Sequence, residues 1–245
     1  MIIPIVLHRV VEFNCIDFED ITLASLDKIL SEESSKYITS EEIDKVKVNS
    51  NKVYYLITFD DGHISDYKVV FPRLKERGIK ATFFINPQTV GAKEYVNWAM
   101  VQEMSEYGMC IGSHSDSHPN MTKIGTDKAK QEFIDSKKNI TSKINKNVNF
   151  FAFPFGFYNI ELAKLAIKCG YQRCFVSDHG IVALDTITIP RNSVNKTMDF
   201  DSIDKILKCS ISIRVKWKCE DVIKYSLKKI FSARVYDFLR KVVLQ

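Results

Sequence analysis

Residues 53–62, Val53-Tyr54-Tyr55-Leu56-Ile57-Thr58-Phe59-Asp60-Asp61-Gly62, set an apolar run of strand length directly against two carboxylates and a glycine. A short continuous apolar run bounded by turn residues reads as a strand buried on both faces, as in a parallel sheet. Adjacent residues just beyond a strand end can point in different directions, so Asp60 and Asp61 need not share one task. Asp-Asp-Gly alone is an ordinary turn, because Asp bonds to nearby backbone and Gly accepts positive φ. Its weight comes from what stands elsewhere in the chain.

Outward from this run, two more segments repeat the pattern of a short apolar stretch followed by chemistry-bearing residues. Met109-Cys110-Ile111 leads to His114-Ser115-Asp116-Ser117-His118, where Gly112, Ser113 and Pro119 favour a loop over a helix. Asn149-Phe150-Phe151-Ala152-Phe153-Pro154-Phe155-Gly156 is an aromatic strand that Pro and Gly force out of the sheet near Phe155. Two neutral imidazoles and a carboxylate suit zinc or a similar divalent ion, and three protein ligands leave a position for water, whose pKa falls to roughly 7 when bound. One aspartate can then hold the metal while its neighbour takes the proton.

Between these segments the chain alternates strand and helix. Helices are expected over residues 22–34, 40–46 (opened by the capping box Thr39-x-x-Glu42), 65–77, 97–107, 126–144 and 159–169. Pro72 inside the third is expected to kink it or delay its start. Strands are expected at 1–7, 53–59, 81–85, 109–111, 148–153 and 172–177, an order that predicts parallel pairing with the three motifs gathered at the strands' C-terminal ends.

On these three motifs the chain resembles the polysaccharide deacetylases, the NodB-homology domain of carbohydrate esterase family 4, over roughly residues 2–195. The resemblance implies an α/β fold, a distorted (β/α) barrel. It implies Asp60 as catalytic base and Asp61, His114 and His118 as ligands of a divalent ion, zinc foremost, with Co2+, Mn2+ or Ni2+ as alternatives. It further implies that the Phe155 backbone N–H stabilises the oxyanion. The chain departs from the family pattern in two places. Many members carry Arg two residues before the proline of the third motif, where this chain has Ala152, and Arg191 in Ile189-Pro190-Arg191 is the candidate replacement. The late Leu-x-His motif that supplies a general acid has no counterpart, which leaves His63 and His179 as candidate proton donors. His8 ends the first strand and is expected near the site in a structural role.

The expected activity is removal of N-acetyl groups from amino sugars of a glycan or glycolipid precursor. Another linear amide hydrolase activity, such as deformylation, and a silent sugar-binding module are the alternatives. At 245 residues, with 45% hydrophobic and 27% charged residues, the chain can bury one large core. The six cysteines show no Cys-x-x-Cys spacing and read as reduced thiols. No stretch approaches the roughly 18 apolar residues of a membrane span, and Met1–Leu7 reads as a strand, so a cytoplasmic enzyme is expected.

The C-terminal part differs. A catalytic domain over 1–198 and a basic helical extension over 199–245 are expected. Residues 205–241 hold eleven basic and three acidic side chains, a surplus of eight in a chain of net charge +5, so the rest carries −3 and gives no reason to expect nucleic acid. Ile223, Leu227, Ile230, Phe231, Phe238, Leu239 and Val242 recur at helical spacing. Such a helix can pack on the barrel or on a second chain, or it can attach residues 219–245 to an anionic membrane surface.

Overall fold

The computed structural model describes residues 1–46 and 52–230. Its first strand, β1 (Ile2–Leu7), is buried along its whole length. Next come β2 (Arg9–Val11) and β3 (Asp20–Thr22), a separate parallel pair tied by two hydrogen bonds from Arg9 to Asp20, at 2.8 and 2.6 Å. Helix α1 (Leu23–Ile29) is capped by the Thr22 hydroxyl, which accepts from the Ser25 N–H. It ends earlier than expected because Glu32-Glu33-Ser34-Ser35 offers no apolar face, and a 3-10 turn at Ser34–Lys36 follows instead. After β4 (Tyr37–Ile38) the Thr39/Glu42 capping box opens a 3-10 helix at Ser40–Lys45.

Strand β5 (Tyr54–Phe59) pairs along one edge with β1 for six residues. Its other edge is shared between β4 at its start and β6 (Thr82–Ile85) at its end. The helix expected over 65–77 is two pieces. A π-helical turn at Asp66–Val70, closed by the Phe71 N–H donating to the Asp66 carbonyl, precedes α2 (Phe71–Glu76). Pro72 has no N–H for the carbonyl four residues back, and the widened turn accommodates the loss. Then follow α3 (Trp98–Tyr107), capped by Asn97 and stopped by Gly108 at φ 101, and β7 (Cys110–Ser113). Next are α4 (Thr126–Ile144), β8 (Phe150–Ala152), α5 (Ile160–Lys168) and β9 (Arg173–Phe175). Two-residue strands β10 (Thr188–Ile189) and β11 (Asn192–Ser193), then α6 (Phe200–Leu207) and α7 (Ile211–Ile230), complete the described chain.

The strands run parallel in the order β10-β9-β8-β7-β6-β5-β1-β11, so β10 and β11 form opposite edges although only Pro190 and Arg191 separate them in sequence. Seven strand spacings laid flat would part the edges by about 34 Å. The connection spans at most about 11 Å. The sheet is therefore curled into a distorted barrel, and residue 191 sits at its seam. Side chains alternate across the sheet. Ile2, Leu56, Phe84, Phe150, Phe175 and Ile189 fill the inside, while Ile3, Ile57, Phe59 and Phe83 join the helices in the larger outer core.

Beyond residue 198, Ile203, Ile206, Leu207, Ile213 and Trp217 join that outer core, and Lys28 of α1 pairs with Asp204 at 2.5 Å. Phe231, Phe238, Leu239 and Val242 lie outside the described residues, as do the side chains of Leu227 and Ile230. No helix among the described residues is long and apolar enough to cross a membrane.

Candidate functional site

The turn after β5 separates the two aspartates. The Asp60 N–H still donates to Leu7 of β1 at 3.0 Å, but Asp61 and Gly62 both enter the left-handed region, at φ 73 and 70. Asp60 is thereby buried to 3% exposure, while the Asp61 side chain keeps about a third of its surface, 36%, open. At Gly62 a Cβ would also stand 3.2 Å from Ile85, so the turn favours glycine twice over.

The histidines come from the chain leaving β7. The His114 N–H donates to the Ile85 carbonyl, and its Nδ1 lies 2.9 Å from the Ala152 carbonyl of β8. A carbonyl only accepts, so Nδ1 carries the proton and Nε2 presents its lone pair. Ser115 and His118 have positive φ, and the Ser115 hydroxyl accepts from the His118 N–H, which bends His118 back over His114. Glu132 of α4 accepts from the Asp116 and Ser117 N–H groups and holds this loop. Both Nε2 atoms lie 3.3 Å from the same Asp61 oxygen, and ligand atoms of all three residues fall within 4.8 Å of one another. This N, N, O donor set with a fixed tautomer fits a divalent ion.

Asp60 takes no part in that cluster. Arg191, from the seam, donates to both of its oxygens, Nη1 to Oδ1 at 2.6 Å and Nη2 to Oδ2 at 2.8 Å, and also to Thr58 and the Val176 carbonyl. Its guanidinium lies over the Phe84 and Phe175 rings. Burial pushes the Asp60 carboxyl up, but the Arg191 charge and then His114 more than offset it and hold it below the ordinary range. Burial likewise raises Asp61, yet its bonds to His114 and His118 bring it well below that range.

Phe155 stands opposite in the left-handed region, φ 57 and ψ 4, with its ring edge-on to His118 at 4.6 Å.

A cavity of about 270 Å³ opens beside Asp61 and is lined by His8, Arg9, Glu19, His63, Glu94 and Tyr95 among others. His63 Nδ1 accepts from the Ser65 N–H at 3.1 Å, so the neutral ring carries its proton on Nε2. Burial lowers its pKa. His8 Nε2 stands 3.8 Å from Glu19, and its Nδ1 is buried without a partner. The expected structural role gives His8 no bond that would fix Nδ1. The parallel register Leu7↔Phe59 makes the residue after β1 a neighbour of Asp60, in line with the expectation that His8, at the end of the first strand, lies near the site.

His179 is placed elsewhere. Its ring stacks on Trp217, with Nδ1 2.8 Å from Asp221 and Nε2 3.5 Å from Glu220. Both nitrogens face carboxylates of α7, and His179 is not among the residues that line the cavity beside Asp61.

The polysaccharide deacetylase family model matches residues 47–174, just over half of the chain. The chain belongs to that family. YxkH of Bacillus subtilis, named for the same family, is 33% identical over 130 residues, 53% of this chain and 47% of its own. The peptidoglycan-N-acetylglucosamine deacetylase of Bacillus cereus is 29% identical over 147 residues, 56% and 50% of the two chains. The chain thus spans about half the length of the curated relatives it matches. The structure of Streptococcus pyogenes deacetylase PplD in complex with acetate shares the fold, with a TM-score of 0.75 over 84% of this chain and 97% of that one, at 22% identity.

Proposed function

We propose that the protein is a metal-dependent hydrolase that removes N-acetyl groups from amino sugars of a glycan or glycolipid precursor. The observation that carries this reading is the division of labour between the two aspartates. Asp61 converges with His114 and His118 on one point, while Asp60, 3.9 Å from His114, is kept ionised and oriented by Arg191. Family membership and the named activity of the Bacillus cereus relative support the reaction class. Unpaired thiols at all six cysteines suit a reducing compartment, so we place the reaction in the cytoplasm, before export of the glycan.

Asp61, His114 and His118 would hold a divalent ion, zinc best matching the donor set, whose chemistry is to polarise the acetyl carbonyl and acidify water. Asp60 takes the proton from the attacking water, and Arg191 prevents it from rotating away. The Phe155 N–H donates to the carbonyl oxygen as its negative charge develops. The carbon–nitrogen bond breaks as an imidazole of the cavity, His8 or His63 in its doubly protonated, cationic form, donates a proton to the amine and returns to the neutral ring. Acetate and a free amino sugar leave.

The test measures acetate release from N-acetylglucosamine oligomers together with metal content. Wild type should release acetate, and Asp60→Asn should keep the ion but lose turnover. Formate release from N-formyl sugars with no acetate would move the assignment to a different amide, and sugar binding without turnover in either protein would mark a binding module.

A further inference from the structure

Helix α7 has two apolar faces, and among the described residues only one is covered. Ile213 and Trp217 are 6% and 5% exposed and pack into the outer core. On the opposite side Ile211, Val215 and Val222 follow spacings of four and seven, which put them on one stripe, and they are 73%, 58% and 67% exposed. Single exposed apolar residues are ordinary, but three aligned on one face of one helix are a surface.

The charges segregate in the same way. Glu220 and Asp221 are turned toward His179 and are partly buried. Arg214, Lys216 and Lys218 are exposed. Helical geometry places Arg214 and Lys216 on the two flanks of the apolar stripe and Lys218 within it, Lys216 standing 3.6 Å from Glu220. The uncovered face therefore combines apolar side chains with long cations that can extend their charges past them.

We propose that this face of α7 binds an anionic membrane surface, with the helix lying in the plane of the headgroups. Charge complementarity selects the occupant. A second copy docked through the same stripe would bring like-charged flanks together, whereas anionic headgroups neutralise them. No helix among the described residues can span a bilayer, which leaves the interfacial mode. The helix is tied to the site end of the sheet, because the His179 N–H donates to Asp221 and the adjacent Asp178 carbonyl accepts from the Arg191 N–H. Lipid binding through α7 would hold the catalytic opening close to the surface.

The test sediments the full chain with phosphatidylcholine vesicles made with and without phosphatidylglycerol. Wild type should pellet with the anionic vesicles only, and added salt should weaken the binding. Ile211→Asp combined with Val215→Asp should lower binding by about tenfold or more, with unchanged thermal unfolding because both positions are exposed. Failure of wild type to bind anionic vesicles, or equal binding by the double variant, would overturn the proposal. So would a concentration-dependent dimer that the double variant abolishes without any vesicle binding. Acetate release from a soluble oligosaccharide should be equal in the two proteins; its absence from both would count against the proposed reaction and leave the lipid result standing.

Discussion

Replacing Arg191 with Met tests the pairing on which the proposed base depends. The two partners are 1% and 3% exposed and share two short hydrogen bonds. With charges about 4 Å apart and an effective dielectric of about 20, their attraction is about 4 kcal/mol. Met keeps apolar contact with Phe84 and Phe175 but strands Asp60 as an unpaired buried carboxylate, which costs about 3–5 kcal/mol. At about 2–4 °C per kcal/mol for a chain of this size, the chelator-treated variant should melt about 6–20 °C below wild type at neutral pH. The sign with pH follows from the depressed Asp60 carboxyl. In wild type its stabilising contribution is present above the unfolded value of about 4 and is lost as pH falls through the lower folded value. In the variant the Asp60 pKa rises, the penalty vanishes on protonation, and the deficit should narrow toward acid. Adding Asp60→Asn removes the stranded charge and should restore much of the loss. Thermal melts of wild type, Arg191→Met, Asp60→Asn and the double variant at neutral and acidic pH provide the assay. A deficit under about 1 kcal/mol, the range of an exposed pair, would refute the reasoning, as would a deficit that Asp60→Asn leaves unchanged.

Elemental analysis should find about one divalent ion per wild-type chain and almost none in His118→Ala, since two ligands cannot complete a tetrahedral site. Asp66 is fully buried with neither oxygen bonded, and burial, then Asp61 and Asp60, push its carboxyl well above the ordinary value. Such a group binds its proton more tightly folded than unfolded, so stability falls as pH rises above about 4 toward the folded value. Asp66→Asn should therefore be more stable than wild type in urea melts at neutral pH, with the gain disappearing near pH 4; a gain constant with pH would rule out the titration. A Cβ at Gly112 would meet the buried Phe84 ring at 2.5 Å and the Phe150 carbonyl at 3.1 Å. Gly112→Ala should cost about 1–3 kcal/mol and weaken metal binding by shifting the strand that carries His114, and an unchanged melt would show that the ring has room to move.

Most of the sheet could be read from sequence because its strands are buried on both faces. Tyr54–Phe59, Thr82–Ile85 and Phe150–Ala152 each lie within a largely apolar run, bounded by Lys52 and Asp60, by Lys80 and Asn86, and by Asn149 and Pro154. The metal cluster was legible for a related reason: its three residues follow directly on two such runs. Strands β10 and β11 left no comparable trace, because two residues cannot establish a period and their pairing is set entirely by partners more than ten residues away. The break at Pro72 was visible, whereas its resolution as a π-helical turn depends on local backbone geometry that composition does not encode.

The surroundings of Asp60 show why the remainder of the site was harder to read. An arginine at position 152 would lie on a strand three places from β5, but that position holds Ala152, buried among Phe84, Phe150 and Phe175. The cation arrives instead from a residue 131 positions away. It can do so only because the sheet closes far enough for two residues to join its edges, which fixes Arg191 at the seam with its side chain against the end of β5. Barrel closure and assembly of the Asp60–Arg191 pair are thus the same structural event. A motif can name the base, but its partner is decided by the topology that brings the two edges of the sheet together.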